Sequence, residues 1–362
     1  MSKRGEREAA ELAKAGRWAE AAEAWQALAE KAARVQDKRV ARELAALAAD
    51  AFRRDDRPAA SAKMLRLAAA NGRAEVSDAV QLAAVLQDAG QVEAAWDIAR
   101  TAYDGAKDDV GRTLAGDTLA GLALTRGDLE EARARVDALA AIGLPGGEMS
   151  ATFRRAQIDR LDGLGASAEA AWTKLAEQLA PHPTLSGPEG ACWQELGELD
   201  LLRAAFGAPV LARAEERFAR AAASWTRAGR RAGLFRAEAW GLRARALAGD
   251  AVAAPSVDRA IAFARERGMP LLEADLRACR AVIARDADEL LHTLDLCAET
   301  PLARGRARVL RAELGGPADL ELARQELAVD GPWRARALRA IGRARGDERL
   351  VAEAEEAGRG LA

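Results

Sequence analysis

Short turn segments recur along the first half of this chain at nearly constant spacing. They begin at Gly16, Asp55, Gly90, Gly127 and Gly163, so successive turns lie 39, 35, 37 and 36 residues apart. A fixed period of this length is typical of one supersecondary unit that is stacked many times. We therefore expect a repeat array, a class of fold in which chain length sets no limit on the number of units.

The apolar residues within each unit follow the period of a helix and not the alternation of a strand. Ala79, Leu82 and Leu86 are spaced to share one helix face. An alanine about five residues after each turn, as at Ala95 and Ala132, allows two helix backbones to approach closely. Alanine, the best helix former, makes up roughly a quarter of the chain. These features predict an all-α, right-handed superhelical solenoid of about ten antiparallel helical hairpins.

The segments 37–70, 75–105 and 108–142 resemble tetratricopeptide repeats of bacterial type. In 75–105 the matching residues are Ala79, Leu82, Ala83, Leu86, Gly90, Val92, Ala95, Ala99 and Ala102. In that family the first helix of each hairpin lines a concave groove that binds a partner segment. The resemblance implies a groove lined by Arg42, Arg53, Gln81, Gln87, Asp88 and Asp117. Asn71 is the one asparagine of the chain, so the asparagine clamp of the chaperone-tail-binding members is missing.

The stretch 181–190 is the richest in proline and glycine. It divides the chain into N-terminal hairpins at 1–181 and C-terminal hairpins at 188–362, which we expect to continue the same solenoid. It is either a subdomain boundary or a longer turn, and we favour the turn. The predicted hairpins are 3–35, 37–70, 75–105, 108–142, 148–180, 188–229, 231–267, 269–298, 300–329 and 332–360.

Residue types that carry catalysis or bind metals are sparse. The chain has two histidines, His182 and His292, and three widely spaced cysteines, Cys192, Cys279 and Cys297. A zinc site needs about four clustered ligands, which these residues do not supply locally. We predict no catalytic residue, no metal and no cofactor. An odd number of cysteines, the lack of a signal-peptide pattern and the lack of a long apolar run predict a cytoplasmic protein without membrane contact.

Residues 201–250 contain ten arginines against four acidic residues, a local charge of +6 in a chain of net charge −2. Arg213, Arg217 and Arg220 have helical spacing, as do Arg227 and Arg231. We predict that this face binds an acidic protein or peptide segment, with an ordinary solvated face as the alternative. The slightly negative net charge disfavours nucleic acid as a partner.

These observations favour a non-enzymatic protein-interaction scaffold or adaptor that binds a partner segment in its concave groove. The alternative is a sensory or regulatory module, similar to helical-repeat regions of bacterial transcription regulators. Such a module controls a partner, such as a transcription regulator or an ATPase, or binds a small ligand, and a small ligand requires an enclosed pocket. A helical-repeat nucleic-acid binder is disfavoured. Four tryptophans fit the repeat less regularly and are either core residues or binding anchors: Trp193, Trp225, Trp240 and Trp333.

Overall fold

The computed structural model describes residues 3–72 and 75–361, of which 81% are helical and none lies in a strand. The fold is an all-α solenoid. The first ten helices are α1 (Lys3–Lys14), α2 (Trp18–Arg34), α3 (Lys38–Arg54), α4 (Pro58–Ala70), α5 (Val76–Asp88), α6 (Val92–Gly105), α7 (Asp109–Arg126), α8 (Leu129–Ile142), α9 (Pro145–Leu161) and α10 (Gly165–Leu179).

A single 3-10 turn at Pro183–Leu185 leads into the second half of the chain. The remaining helices are α11 (Ser186–Ala205), α12 (Leu211–Arg227), α13 (Arg231–Ala248), α14 (Pro255–Glu266), α15 (Pro270–Ala284), α16 (Glu289–Leu296), α17 (Pro301–Glu313), α18 (Leu320–Glu326), α19 (Gly331–Arg345) and α20 (Glu348–Arg359). Helix α10 ends just before the Pro/Gly-rich stretch 181–190, α11 begins within it, and the two helices pack directly on each other. The division of the chain into two parts there stays a prediction.

Local chemistry at the turns explains where many helices begin and end. The Asp108 carboxylate accepts a hydrogen bond from the Gly111 N–H at 2.7 Å, and Asp128 accepts one from Glu131 at 3.1 Å. Each bond satisfies a backbone donor that the first turn of a helix leaves free. Gly127 ends α7 with φ +78°, a conformation that a side chain would penalise. The repeated turns are therefore punctuated by residues suited to them.

Small residues let consecutive helices pack closely. Ala95 on α6 and Ala132 on α8 are completely buried, whereas their neighbours Ala94 and Ala134 are exposed. Each helix packs mainly on its neighbours in the chain, as expected for a solenoid. The core is thus distributed along the whole array.

The structure also brings together helices that are ten apart in the chain. Helix α5 packs against α15, α7 against α17, and α9 against α19. The constant offset means that the path of the chain completes one superhelical turn in about ten helices. We call the helices up to α10 the first turn and those from α11 onward the second turn.

Specific contacts hold the two turns against each other. The Asp55 carboxylate pairs with Arg267 at 2.7 Å, and the Val92 N–H donates to Glu299 Oε2 at 2.7 Å. A Cβ on Gly165 would lie 2.3 Å from the Leu361 carbonyl oxygen, so that approach tolerates only glycine. Along α5, α7 and α9 the inner face is therefore covered by the second turn instead of forming an open groove.

Candidate functional site

The two turns line a partly enclosed cavity of about 390 Å³, which we call the central cavity. Its walls come from every odd-numbered helix from α5 to α19, with Thr293 of α16 and two residues of the turn that follows it, Cys297 and Thr300. Residues separated by more than two hundred positions thus share one enclosure. Its volume lies within the range of small-molecule sites in proteins.

The lining combines leucines and tryptophans with an unusual number of charged side chains. The charged residues are Arg154, Arg160, Glu195, Glu198, Arg236, Arg243, Asp275, Arg306 and Arg336. Six are positive and three are negative, so the surface that faces the cavity is basic. Most ordinary cores contain few such groups, because a buried charge is costly unless it is paired.

Five of the six cavity arginines have a carboxylate partner. Three of the partners lie just behind the cavity wall, and the other two belong to the lining itself. The pairs are Arg154–Asp117 at 2.9 Å, Arg160–Glu195 at 3.5 Å, Arg236–Asp275 at 2.6 Å, Arg306–Asp330 at 2.6 Å and Arg336–Glu313 at 3.1 Å. Four of the pairs join two helices, and Arg306 on α17 pairs with the residue that precedes α19, so the ion pairs also connect successive walls of the cavity.

These pairs change the ionisation of their members. Burial would raise the pKa of Glu198, but the charges of Arg236 and Arg160 outweigh it and lower that pKa. Asp275 is the main reason why the pKa of Arg236 is raised. Both ions are therefore fixed in their charged forms at neutral pH.

Arg243 is the exception among the cavity arginines. Its side chain lies against Trp240, with the guanidinium carbon 4.8 Å from the centroid of the Trp240 ring. The residue is 3% exposed. Within the described part of the chain Arg243 forms no ion pair, and its Nε has no hydrogen-bond partner. Burial and the neighbouring charge of Arg336 lower the pKa of Arg243 and outweigh the opposing effects of Cys279, Asp275 and Glu313.

The predicted groove residues do not converge on this cavity. Gln87 lines it and donates a hydrogen bond to Thr125 Oγ1 at 3.0 Å, and Asp117 lies behind it as the partner of Arg154. The other four lie elsewhere: Arg42 pairs with Glu75 and Asp78, Arg53 pairs with Asp50, Gln81 is half-buried and Asp88 is exposed. Binding of a partner by these four residues stays a prediction.

The predicted basic face is engaged in contacts within the chain. Arg213 and Arg217 both bind the Asp200 carboxylate, at 2.7 and 2.8 Å, and Arg217 also contacts Glu169. Arg203 completes this group, which we call the Asp200 cluster: Glu169, Asp200, Arg203, Arg213 and Arg217. Asp200 itself is fully buried.

The rest of that face is paired as well. Arg220 binds Glu216 at 2.6 Å and lies over the Trp193 ring, Arg227 binds Glu189 at 2.6 Å, and Arg231 lies over Phe263. The local charge excess is thus largely neutralised by carboxylates of this chain. Binding of an acidic partner at this face stays a prediction.

Burial keeps the three cysteine thiols from ionising. Burial raises the pKa of Cys192 to about 12 and that of Cys297 to about 11, and it also raises the pKa of Cys279, so all three are protonated thiols at neutral pH. Over residues 3–72 and 75–361, no histidine, cysteine or acidic residues group into a metal-binding cluster. No helix in the same ranges is both long and apolar enough to cross a membrane.

The sequence contained a signal for the cavity that composition did not reveal. Trp240 and Arg243 stand three positions apart on α13, and Trp333 and Arg336 stand three apart on α19. This spacing places each arginine over its tryptophan, at 4.8 and 4.1 Å from the ring centroid. Trp240 and Trp333, which fit the repeat irregularly, thus share the Trp-x-x-Arg spacing, and both lie in the wall of the central cavity.

Comparison with known proteins adds no family assignment. No protein-family profile matches this chain, and no curated protein matches it either.

Proposed function

We propose that this chain is a non-enzymatic sensory or regulatory module that binds a small molecule in its central cavity. The position of that partly enclosed cavity between two superhelical turns is the observation that carries the proposal. An open groove suits a peptide, whereas a cavity of about 390 Å³ suits a small organic molecule.

Shared walls give the module a way to report on its ligand. The cavity is lined by Gln87 and Thr125 from the first turn and by Leu302 and Trp333 from the second. A molecule that contacts both turns binds the closed arrangement more tightly than one in which the turns separate. This difference in affinity shifts the equilibrium toward the closed arrangement. The resemblance to tetratricopeptide repeats supports a bacterial, cytoplasmic regulator that passes this change to a partner protein, such as a transcription regulator or an ATPase.

Native mass spectrometry of the chain, freshly purified from its own host, tests the proposal. We expect the folded chain to carry one small molecule that is released on denaturation, with the same sample in denaturing solvent as the control. A bare folded chain that is also not stabilised against heat by a small-molecule extract of the host would contradict the proposal.

A protein-interaction scaffold is the second candidate, and a separate feature favours it. An apolar cleft of about 730 Å³ lies between α4, α5 and α6, with Leu65, Leu82 and Ile98 in its walls and Arg42 at its edge. A partner helix could place an apolar face in such a cleft. A co-purified protein lost on Ile98→Asp substitution, together with a bare cavity, would favour this candidate.

A further inference from the structure

The central cavity contains a buried cation that this chain does not neutralise. Arg243 is 3% exposed, and no carboxylate among the described residues forms an ion pair with it. Its Nε donor is also without a hydrogen-bond partner. A folded protein rarely retains such a group without a function, because burying an unpaired charge is strongly unfavourable.

The neighbouring residues hold the Arg243 guanidinium in place without forming an ion pair with it. Its planar group stacks on Trp240, and Trp240 is itself anchored by a hydrogen bond from its Nε1 to Asp275 Oδ2 at 2.9 Å. Asp275 is already bound by Arg236 at 2.6 Å. The Asp275 carboxylate, which this series of contacts reaches, is therefore already paired with Arg236. Arg243 is held in place but has no ion-pair partner.

A second buried donor lines the same cavity. Thr293 on α16 is 3% exposed, and its hydroxyl has no hydrogen-bond partner in the described structure. Serine and threonine hydroxyls inside a helix commonly donate to the carbonyl four residues earlier, but Thr293 does not. Arginine and hydroxyl donors together are the usual ligands of an anionic oxygen group.

The remaining lining is suited to an apolar body. Trp333, Leu302 and Leu310 form part of the wall, and Ala303 and Ala307 leave room beside them. The cavity therefore combines a charged donor with apolar surface, an arrangement that gives orientation and affinity to a small amphipathic anion.

We propose that Arg243 anchors the carboxylate or phosphate group of a small organic anion whose apolar part packs against the tryptophans and leucines of the central cavity. This assignment rests on the proposed ligand-binding function and narrows it to one chemical class. Arg243 binds the anion through the N–H groups at the edge of its guanidinium, and Thr293 contributes a further hydrogen bond.

Three probes of similar size test the charge requirement on the intact chain: benzoate, phenyl phosphate and the neutral benzamide. Binding is followed by tryptophan fluorescence, since Trp240 and Trp333 lie in the wall. We expect at least one anion to bind the wild-type chain at least about tenfold more tightly than benzamide, because charge-assisted hydrogen bonds are strong. Tighter binding of benzoate indicates a carboxylate ligand, and tighter binding of phenyl phosphate indicates a phosphorylated one.

Two variants on the same helix separate the anchor from general charge effects. Arg243→Met is expected to lose about tenfold or more of the affinity for the anion and to keep that for benzamide. Arg245→Met, which removes an exposed charge paired with Asp250, is the matched control and is expected to bind like wild type. If Arg243→Met does not fold, as judged by circular dichroism, the comparison of anion with benzamide on the wild-type chain decides.

Equal binding of benzamide and the anions, unchanged anion binding in Arg243→Met, or no binding of any probe would overturn the anion assignment. The proposed function fails separately. A neutral or cationic molecule retained in native mass spectrometry leaves the cavity a ligand site and overturns only the assignment of an anion. A bare chain that binds none of the probes overturns both.

Discussion

The Asp200 cluster and the central cavity both bury arginines from the same arginine-rich segment, but they resolve the cost of burial in opposite ways. In the cluster, Arg203 and Arg217 are nearly buried and contact the carboxylates of Asp200 and Glu169. In the cavity, Arg243 is equally buried and has no carboxylate partner among the described residues. The first arrangement is complete within the chain and needs no other molecule.

The number of charges is thus a poor guide to a binding site, whereas the presence or absence of ion-pair partners is a good one. Arg213, Arg217 and Arg220 raise the local charge, and for that reason they predicted a site for an acidic partner. Each of them has an acidic partner in the fold. Arg243 adds only one charge to the segment, but that charge is unpaired in a cavity large enough for a ligand.

The largest effect should come from breaking the Asp200 cluster. Asp200→Asn removes a fully buried carboxylate that binds Arg213 and Arg217. We expect a loss of about 3 kcal/mol in the free energy of unfolding, because a guanidinium left without its partner is costly. Urea denaturation measures it. Arg39→Met, which breaks an exposed pair with Glu43, is the control and should change stability by less than about 0.5 kcal/mol. Similar effects from both would mean that the cluster is an ordinary surface network.

A smaller effect, with a characteristic pH dependence, is expected at Glu169. Burial opposes its ionisation, but Arg217 and Arg203 outweigh burial and lower the pKa of Glu169 to about 2. A folded pKa below the usual value of an acid means that the stability it contributes is complete above about pH 5 and is lost as the pH falls toward 2. Glu169→Gln should therefore cost about 2 kcal/mol at pH 7, a value reduced for partial solvent screening.

The pH dependence of stability distinguishes loss of the Glu169 charge from simple loss of packing. The difference in unfolding free energy between wild type and Glu169→Gln should shrink steadily between pH 5 and pH 3 in urea titrations. A constant difference across that range would show that Glu169 acts through its shape and not its charge.

The helices were predictable because their signals are local. Turn residues such as Gly90 and Gly127 and the alanines that follow them define each unit within its own forty residues. The helical segments predicted from those turns agree with the observed bounds to within a few residues. Tetratricopeptide membership and the handedness of the solenoid stay predictions.

The cavity was not predictable in the same way. The contact of α5 with α15 depends on a small rotation added at every intervening unit, and no single repeat encodes that sum. The pairing of Arg243 could not be judged until its neighbours from α15 and α19 were known. The Trp-x-x-Arg spacing at Trp240 and Trp333 was the one local trace of the site.

The sign of the stability change in Arg243→Met, measured by urea denaturation without any added ligand, decides whether Arg243 is a ligand anchor or a structural residue. A cation that awaits an anionic ligand weakens the unliganded fold, so its replacement by an apolar side chain of similar length should raise the free energy of unfolding by about 1–3 kcal/mol. The exposed Arg245→Met control should leave that free energy nearly unchanged. A loss of stability in Arg243→Met comparable to that of Asp200→Asn would contradict the account, since it would make Arg243 a structural residue like those of the Asp200 cluster.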